Sequence, residues 1–338
     1  MKKLLIIFLA LCSIKIHAQA PDHQIKNLVF EGAGIRGLAY AGVVRSLEEQ
    51  EIIEDVENVG GTSAGAIIAL LIALEYNSQE LTSIISDTEF QQFNDGKYFF
   101  IGGISRTIKR YGWYQGEAFS DWIGALIADK TGDPDISFTE FYEQGYKDLY
   151  LTATCLNKQK LVVLSRKSYP DMKIRDAVRI SMSIPIYYQA VFVDSLGTTY
   201  PEPVAGKELD VMVDGGIVGN FPIQIFDTYP NEGASDDLRI PNKQTLGIRI
   251  DTESQIIEDE SKKDLAEYPI EDFQDYVAAF YTMVVENLNR QLLTDEDWER
   301  TVSVSSVGIG PKVKKLSPEQ KERLINSGYE STNQYFKR

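Results

Sequence analysis

Short apolar runs closed by glycine or acid alternate along this chain with stretches of helical periodicity. Leu28-Val29-Phe30 is apolar without interruption and ends at Glu31 and a glycine turn, the pattern of a strand buried on both faces. Ala39, Val43 and Leu47 then recur four residues apart, which predicts a helix from about Arg36. Val56–Val59 reads as a second strand, and Ala64 to Tyr76 as a helix apolar on nearly every side. A helix of that length and composition belongs inside a protein core, since a membrane span needs about 20 residues. Residues 78–147 read as mainly helical and aromatic-rich, with breaks at Gly102-Gly103, Gly112 and Gly116.

The second half continues the alternation. Leu149–Ala153 and Leu161–Leu164 predict a strand pair across Asn157, Ile174–Ser181 a helix, and Val211–Asp214 a strand closed by Gly215 and Gly216. Gln244–Ile250 and Val302–Val307 are further strands. Between them Asp272 to Leu293 reads as one long amphipathic helix carrying Phe273, Tyr276, Val277, Phe280 and Leu288. A last helix has Ser317 as N-cap, Pro318 in its first turn, Gln320 completing a capping box and Gly328 as its expected end. The polar stretches 195–209, 231–243 and 252–268 read as loops. Strands alternating with helices predict an α/β fold, a mostly parallel central sheet between helical layers, in one domain without internal repeats.

Composition changes the picture at the N-terminus. Met1-Lys2-Lys3, the apolar run Leu4–Cys12 and the small residues Ala18 and Ala20 have the form of a secretory signal peptide spanning residues 1–18. The chain is then expected in the periplasm, at the outer membrane or outside the cell. Removing Lys2, Lys3 and Lys15 with that segment takes 34 basic residues to 31 against 50 acidic ones, a net charge of −19. Such a surface repels nucleic acid and anionic lipid at long range, so lipid contact has to be local and apolar, or screened by ions. Only Cys155 remains in the mature chain, which excludes an internal disulfide and a cysteine zinc site.

Three glycine-flanked sites carry candidate chemistry. Gly61-Thr62-Ser63-Ala64-Gly65 fits G-x-S-x-G, the sharp strand-to-helix turn that exposes a nucleophilic serine; the alternative is a structural turn with a capping serine. A serine hydroxyl needs a base, yet the only histidines are His17 and His23, both ahead of the first strand. A Ser-x-x-Lys arrangement fails because residue 66 is alanine. Asp214, at a strand end before Gly215 and Gly216, is either a turn residue or the missing base. Gly32-Ala33-Gly34-Ile35-Arg36-Gly37 also matches G-x-G-x-x-G, so a dinucleotide site with Glu54 or Asp55 on the ribose competes with an oxyanion hole and a plain turn. The oxyanion reading is the stronger, because a dinucleotide is scarce outside the cell and leaves Ser63 and Asp214 without a role. Ala64, directly after the serine, offers a further N–H to the oxyanion.

In this order, Gly32–Gly37 with Arg36, Gly61–Gly65 and Asp214–Gly216 resemble the signature of the patatin-like phospholipases, and Ser181-Met182-Ser183-Ile184-Pro185 resembles a segment that the family places between elbow and aspartate. The resemblance runs from Asn27 to about Asp227. It implies a patatin-like three-layer fold with a catalytic core over 27–228 and a strand–helix extension over 229–338. It also implies a lipid acyl hydrolase of phospholipase A or esterase type, with a Ser63–Asp214 dyad, no cofactor, a phospholipid or other lipid ester as substrate and transient contact with a membrane surface. Acyl transfer by the same dyad and a non-catalytic dinucleotide- or lipid-binding role are the alternatives. One departure is Ala33, where the family often has glycine; a positive φ there would strain the loop. Arg36 is read as orienting the loop, facing a lipid phosphate or lying solvated in a first helical turn. Tyr98–Ile101 and Tyr111–Tyr114 are read as core packing, ahead of an acyl channel or a lid.

Overall fold

Strand β1 (Asn27–Phe30) is buried along its whole length, because parallel neighbours flank it on both sides and helices cover the sheet. The chain is described from a computed structural model covering residues 24–338, except 97–106, 231–237, 262–264, 288–289 and 311–314. The expected signal segment and the stretch Tyr98–Ile101 lie outside the described residues. The remaining strands are β2 (Asn58–Gly61), β3 (Gly112–Tyr114), β4 (Asp148–Cys155), β5 (Lys160–Ser165), β6 (Ile186–Tyr188), β7 (Val191–Val193), β8 (Thr199–Tyr200), β9 (Asp210–Asp214), β10 (Thr245–Asp251) and β11 (Thr301–Ser305). Their order in the main sheet is β11-β10-β1-β2-β4-β9-β7-β8, with β5 paired to β4 as well. From β11 to β4 the pairing is parallel; β5, β9, β7 and β8 add an antiparallel edge. This is the expected α/β architecture. The β3–β6 pair forms a small separate sheet.

Register brings distant residues to one level. Gly61 of β2 pairs with Leu151 of β4, and Ala153, two residues further along β4, pairs with Asp214 of β9. A residue two positions past Gly61 therefore stands at the height of Asp214, with β4 between them. The helix that follows, Ala64–Ala73, is buried at every position and packs on β1, β2 and β4. Its uniform apolarity is that of a helix covered on all sides.

Four expectations fail for physical reasons. Gly328 does not end the last helix, which runs from Pro318 to Tyr335. A Cβ there would lie 1.9 Å from the Ala39 carbonyl oxygen, and one at Gly42 would lie 1.8 Å from that of Ile325. The two glycines let helices Ala39–Glu49 and Pro318–Tyr335 touch backbone to backbone. The stretch 252–268 contains a helix, Glu253–Ser261, whose buried residues are Gln255 and Asp259, so no apolar stripe announces it. The stretch 195–209 contains β8. The expected helix over 272–293 divides into Phe273–Tyr281, a wide π-type turn Thr282–Asn287 and a short turn Arg290–Leu292. That widening brings Val285 and Glu286 together onto a buried face.

Candidate active site

Two helices begin side by side at the carboxyl ends of β1 and β2. The first is a tight turn, Gly34–Leu38; the second is the helix Ala64–Ala73. Gly37 and Ala64 touch, since a Cβ on Gly37 would come within 3.1 Å of the Ala64 Cβ. Gly34 and Ala64 are the first residues of their elements, so their N–H groups have no acceptor within the helix. Both line one cleft beside Ser63. The Gly32 N–H is already bonded to the Asn220 carbonyl at 3.0 Å, and the Arg36 N–H to that of Ala33 at 3.2 Å. Of the expected loop donors, Gly32 and Arg36 are thus occupied, while Gly34 and Ala64 face the cleft. Ile35 and Gly37 line it too.

The strain anticipated at Ala33 is absent. Ala33 has φ −131°, while the left-handed φ of 55° falls on Gly34, where no Cβ opposes it. Asn220 grips the loop twice, through its carbonyl to the Gly32 N–H and through Nδ2 to the Gly32 carbonyl at 2.8 Å.

Ser63 has φ 53° and ψ −118°, a conformation rare for a residue with a side chain. Gly61 and Gly65 permit it: a Cβ on Gly61 would lie 2.3 Å from the Gly65 carbonyl, and one on Gly65 2.3 Å from that of Phe30. The segment after helix Ile174–Ser181 holds the serine and the aspartate together. The Ser63 N–H donates to Ser181 Oγ at 3.0 Å, the Ser63 hydroxyl points at Met182 Sδ at 3.4 Å, and the Asp214 N–H donates to the Ser183 carbonyl at 2.9 Å. Arg179 anchors this segment through the Ser183 hydroxyl and the carbonyls of Gln115, Gly116 and Gln189. Burial lowers its guanidinium to about 10. The sequence marked Ser181–Pro185 only as a resembling segment; its part in holding both residues depends on contacts more than 100 positions apart in the case of Ser63.

Asp214 is buried, and loss of hydration raises its carboxyl from 3.8 to about 6. The Gly216 N–H, donating to Oδ1 at 2.7 Å, and the nearby Ser63 hydroxyl both pull it back down. Gly215 passes directly over Thr152, where a Cβ would meet Oγ1 at 2.4 Å. Among the described residues there is no histidine, and no group of three or more His, Cys, Asp or Glu side chains able to hold a metal.

Arg36 is neither solvated nor turned toward the cleft. It is 2% exposed, its Nη2 donates to Glu286 at 2.6 Å and its Nε to the Ala33 carbonyl at 3.1 Å, so it braces the loop from behind. Glu31 starts a second buried network through Arg249, Asp251, Arg290 and Asp259, with Trp298 against both arginines. Burial raises the Glu31 carboxyl to about 7, although Arg249 opposes the shift. The dinucleotide reading fails on topology. Glu54 and Asp55 precede β2 and so lie at the amino ends of the parallel strands, opposite the glycine loop at the carboxyl end of β1.

The cleft beside Ser63 encloses about 740 Å³ including its mouth. Ile35, Leu38, Ile68, Ile85, Phe93 and Phe119 form much of its wall, together with Met182, Tyr187 and Tyr188. Gly112–Tyr114 pairs with β6, and the Tyr114 ring packs on Tyr187 at 4.9 Å, so this segment backs the cleft as packing.

A family model described as patatin-like phospholipase matches residues 28–227. Protein R571 of Acanthamoeba polyphaga mimivirus is 26% identical over 315 residues, 93% of this chain and 94% of its own length. The probable lipid hydrolase 463L of Invertebrate iridescent virus 6 is 25% identical over 208 residues, 61% of this chain and 65% of its own. Among solved structures, VipD from Legionella pneumophila superposes with a TM-score of 0.56 at 15% identity, over 93% of this chain and 67% of VipD, a likeness of fold.

Proposed function

Because the chain belongs to the patatin-like phospholipase family, we propose that it hydrolyses carboxylic esters of lipids by a Ser63–Asp214 dyad. Ser63 Oγ attacks the acyl carbonyl while Asp214 takes its proton, and the N–H groups of Gly34 and Ala64 receive the oxyanion. Collapse of the tetrahedral adduct breaks the ester bond, with Asp214 returning the proton to the leaving alcohol. Water then attacks the acyl-serine and gives a proton to Asp214, which returns it to Ser63 Oγ as the acyl–serine bond breaks and the fatty acid leaves. A carboxyl near 6 suits this exchange better than an ordinary aspartate would, because it is ionised at neutral pH yet accepts a proton more readily.

The observation that carries the proposal is the meeting of Ser63, the two helix starts and an apolar cleft at one point. An acyl chain fits a wall of isoleucine and phenylalanine; a phosphate or sugar does not. We take residues 27–228 as the catalytic core and 229–338 as its extension, a reading supported by β10 and β11 continuing the sheet beyond β1. The signal-like N-terminus supports a location outside the cytoplasm, with periplasmic, outer-membrane or extracellular lipids as the substrates within reach.

A fluorophosphonate probe tests the reading. The protein is expected to gain one adduct by intact mass, located on Ser63 by peptide mapping, and Ser63→Ala is expected to take up none and hydrolyse no ester. An adduct elsewhere, or a folded protein that stays unlabelled, would overturn it.

A further inference from the structure

We propose that helix Phe273–Tyr281 and the turn after it form a docking face for an electrically neutral lipid bilayer, a step that rests on the lipid-hydrolase reading. Phe273, Tyr276, Phe280 and Met283 are 77, 57, 64 and 51% exposed. Their spacing of three, four and three residues lines them along one side of the helix. Ile270, three residues earlier, is exposed as well. Single exposed apolar residues are ordinary, but a continuous aromatic stripe on one helix is not.

Charge selects the occupant. From Leu265 to Asn287 the acidic residues not committed to a buried ion pair are Glu267, Glu271, Asp272 and Asp275, and the segment has no lysine or arginine; Glu286 is buried against Arg36. An anionic bilayer is repelled by such a segment, whereas a zwitterionic one takes the apolar stripe at no electrostatic cost. Area argues against a second copy of the chain. At these exposures four side chains of this size present roughly 500 Å², below the ~800 Å² per partner of a stable interface.

Position argues for the same occupant. The stripe runs straight into Val285 and Glu286, both buried. Val285 lies against Gly216, where a Cβ would come within 3.2 Å of it, and Glu286 holds Arg36 behind the glycine loop. The element that meets the lipid surface thus rests on both the aspartate segment and the oxyanion loop. Docking there presents the bilayer to the same end of the sheet as Ser63.

The test uses phosphatidylcholine vesicles and phosphatidylglycerol vesicles in flotation assays, with Ser63→Ala as the parent so that binding is read without hydrolysis. The parent is expected to float with phosphatidylcholine and more weakly with phosphatidylglycerol at low salt. Phe273→Ser/Phe280→Ser is expected to partition at least about tenfold less. In the otherwise native enzyme the same pair is expected to leave hydrolysis of a soluble short-chain ester unchanged and to lose activity on vesicles. Equal partitioning of parent and variant, preference for the anionic vesicles, or a concentration-dependent dimer that the substitutions dissolve would each overturn the docking face. Soluble-ester hydrolysis without vesicle binding sinks the docking face alone. Vesicle binding without any ester hydrolysis sinks the hydrolase reading alone.

Discussion

Ser63 is held in its strained conformation by its neighbours, and Ser181 is the one whose single contact a substitution removes cleanly. Its hydroxyl accepts the Ser63 N–H at 3.0 Å inside a buried environment. Replacing it by alanine leaves that donor without a partner, at a cost of about 1–3 kcal/mol. The strained turn is the softest place for this cost to be relieved, so the nucleophile shifts before the fold fails. Ser181→Ala is therefore expected to lower kcat by about 10–100-fold with little change in KM, as a 1.4–2.7 kcal/mol loss in the transition state alone would. Ser181→Thr keeps the hydroxyl and is expected to recover most of the rate. Steady-state kinetics on a soluble ester separates the cases; a change confined to KM, or no rescue by threonine, would mean that Ser181 does not position the nucleophile.

Among the elements, the crossing of helices Ala39–Glu49 and Pro318–Tyr335 sets helix propensity against packing. A glycine inside a helix costs about 1 kcal/mol relative to alanine, so propensity alone makes Gly328→Ala stabilising. The backbone carbonyl of Ala39, 1.9 Å from the new Cβ, makes it destabilising, because a backbone cannot swing aside as a side chain does. Overpacking of this kind costs about 1–3 kcal/mol, and chemical denaturation is expected to show a net loss for Gly328→Ala. The same glycine shows why part of the fold was illegible in the sequence. Read locally, a glycine near the end of a periodic stretch is a helix terminator; what requires it is the Ala39 carbonyl, nearly 300 residues away. The helix Glu253–Ser261 escaped for a related reason, since its inner face carries Gln255 and Asp259, which serve Arg290 rather than an apolar core. By contrast, the glycine loop, the serine turn and the Asp214 strand end were readable, because each is a local requirement for backbone crowding or a sharp turn. What held them together was not, because Asn220, Ser181 and Glu286 act across the sheet.

At the scale of the whole molecule, the Asp214 carboxyl ties reactivity to stability through one titration. Its value rises from 3.8 unfolded to about 6 folded, because burial disfavours the charge. Folding therefore favours the protonated acid, and the ionised form opposes folding. Below about pH 3.8 the group is protonated in both states and contributes nothing. Between 3.8 and 6 the cost grows, and above 6 it is complete at about 3 kcal/mol. The base, however, works only when ionised, so catalysis and this cost appear over the same pH range. The kcat/KM for a soluble ester is expected to rise as pH passes about 6 and then level off. Asp214→Asn is expected to abolish hydrolysis while making the protein more stable by up to about 3 kcal/mol at pH 8, a gain that shrinks below about 1 kcal/mol at pH 4. Glu31, raised to about 7 behind the loop, is another buried acid able to imprint a pH dependence, as is Asp259, which burial also raises. Glu31→Gln and Asp259→Asn separate them: a rising limb near 6 that survives in both variants belongs to Asp214. A limb that vanishes with Glu31, or an Asp214→Asn protein with no pH-dependent gain in stability, would show that the buried aspartate does not carry the charge on which the reaction turns.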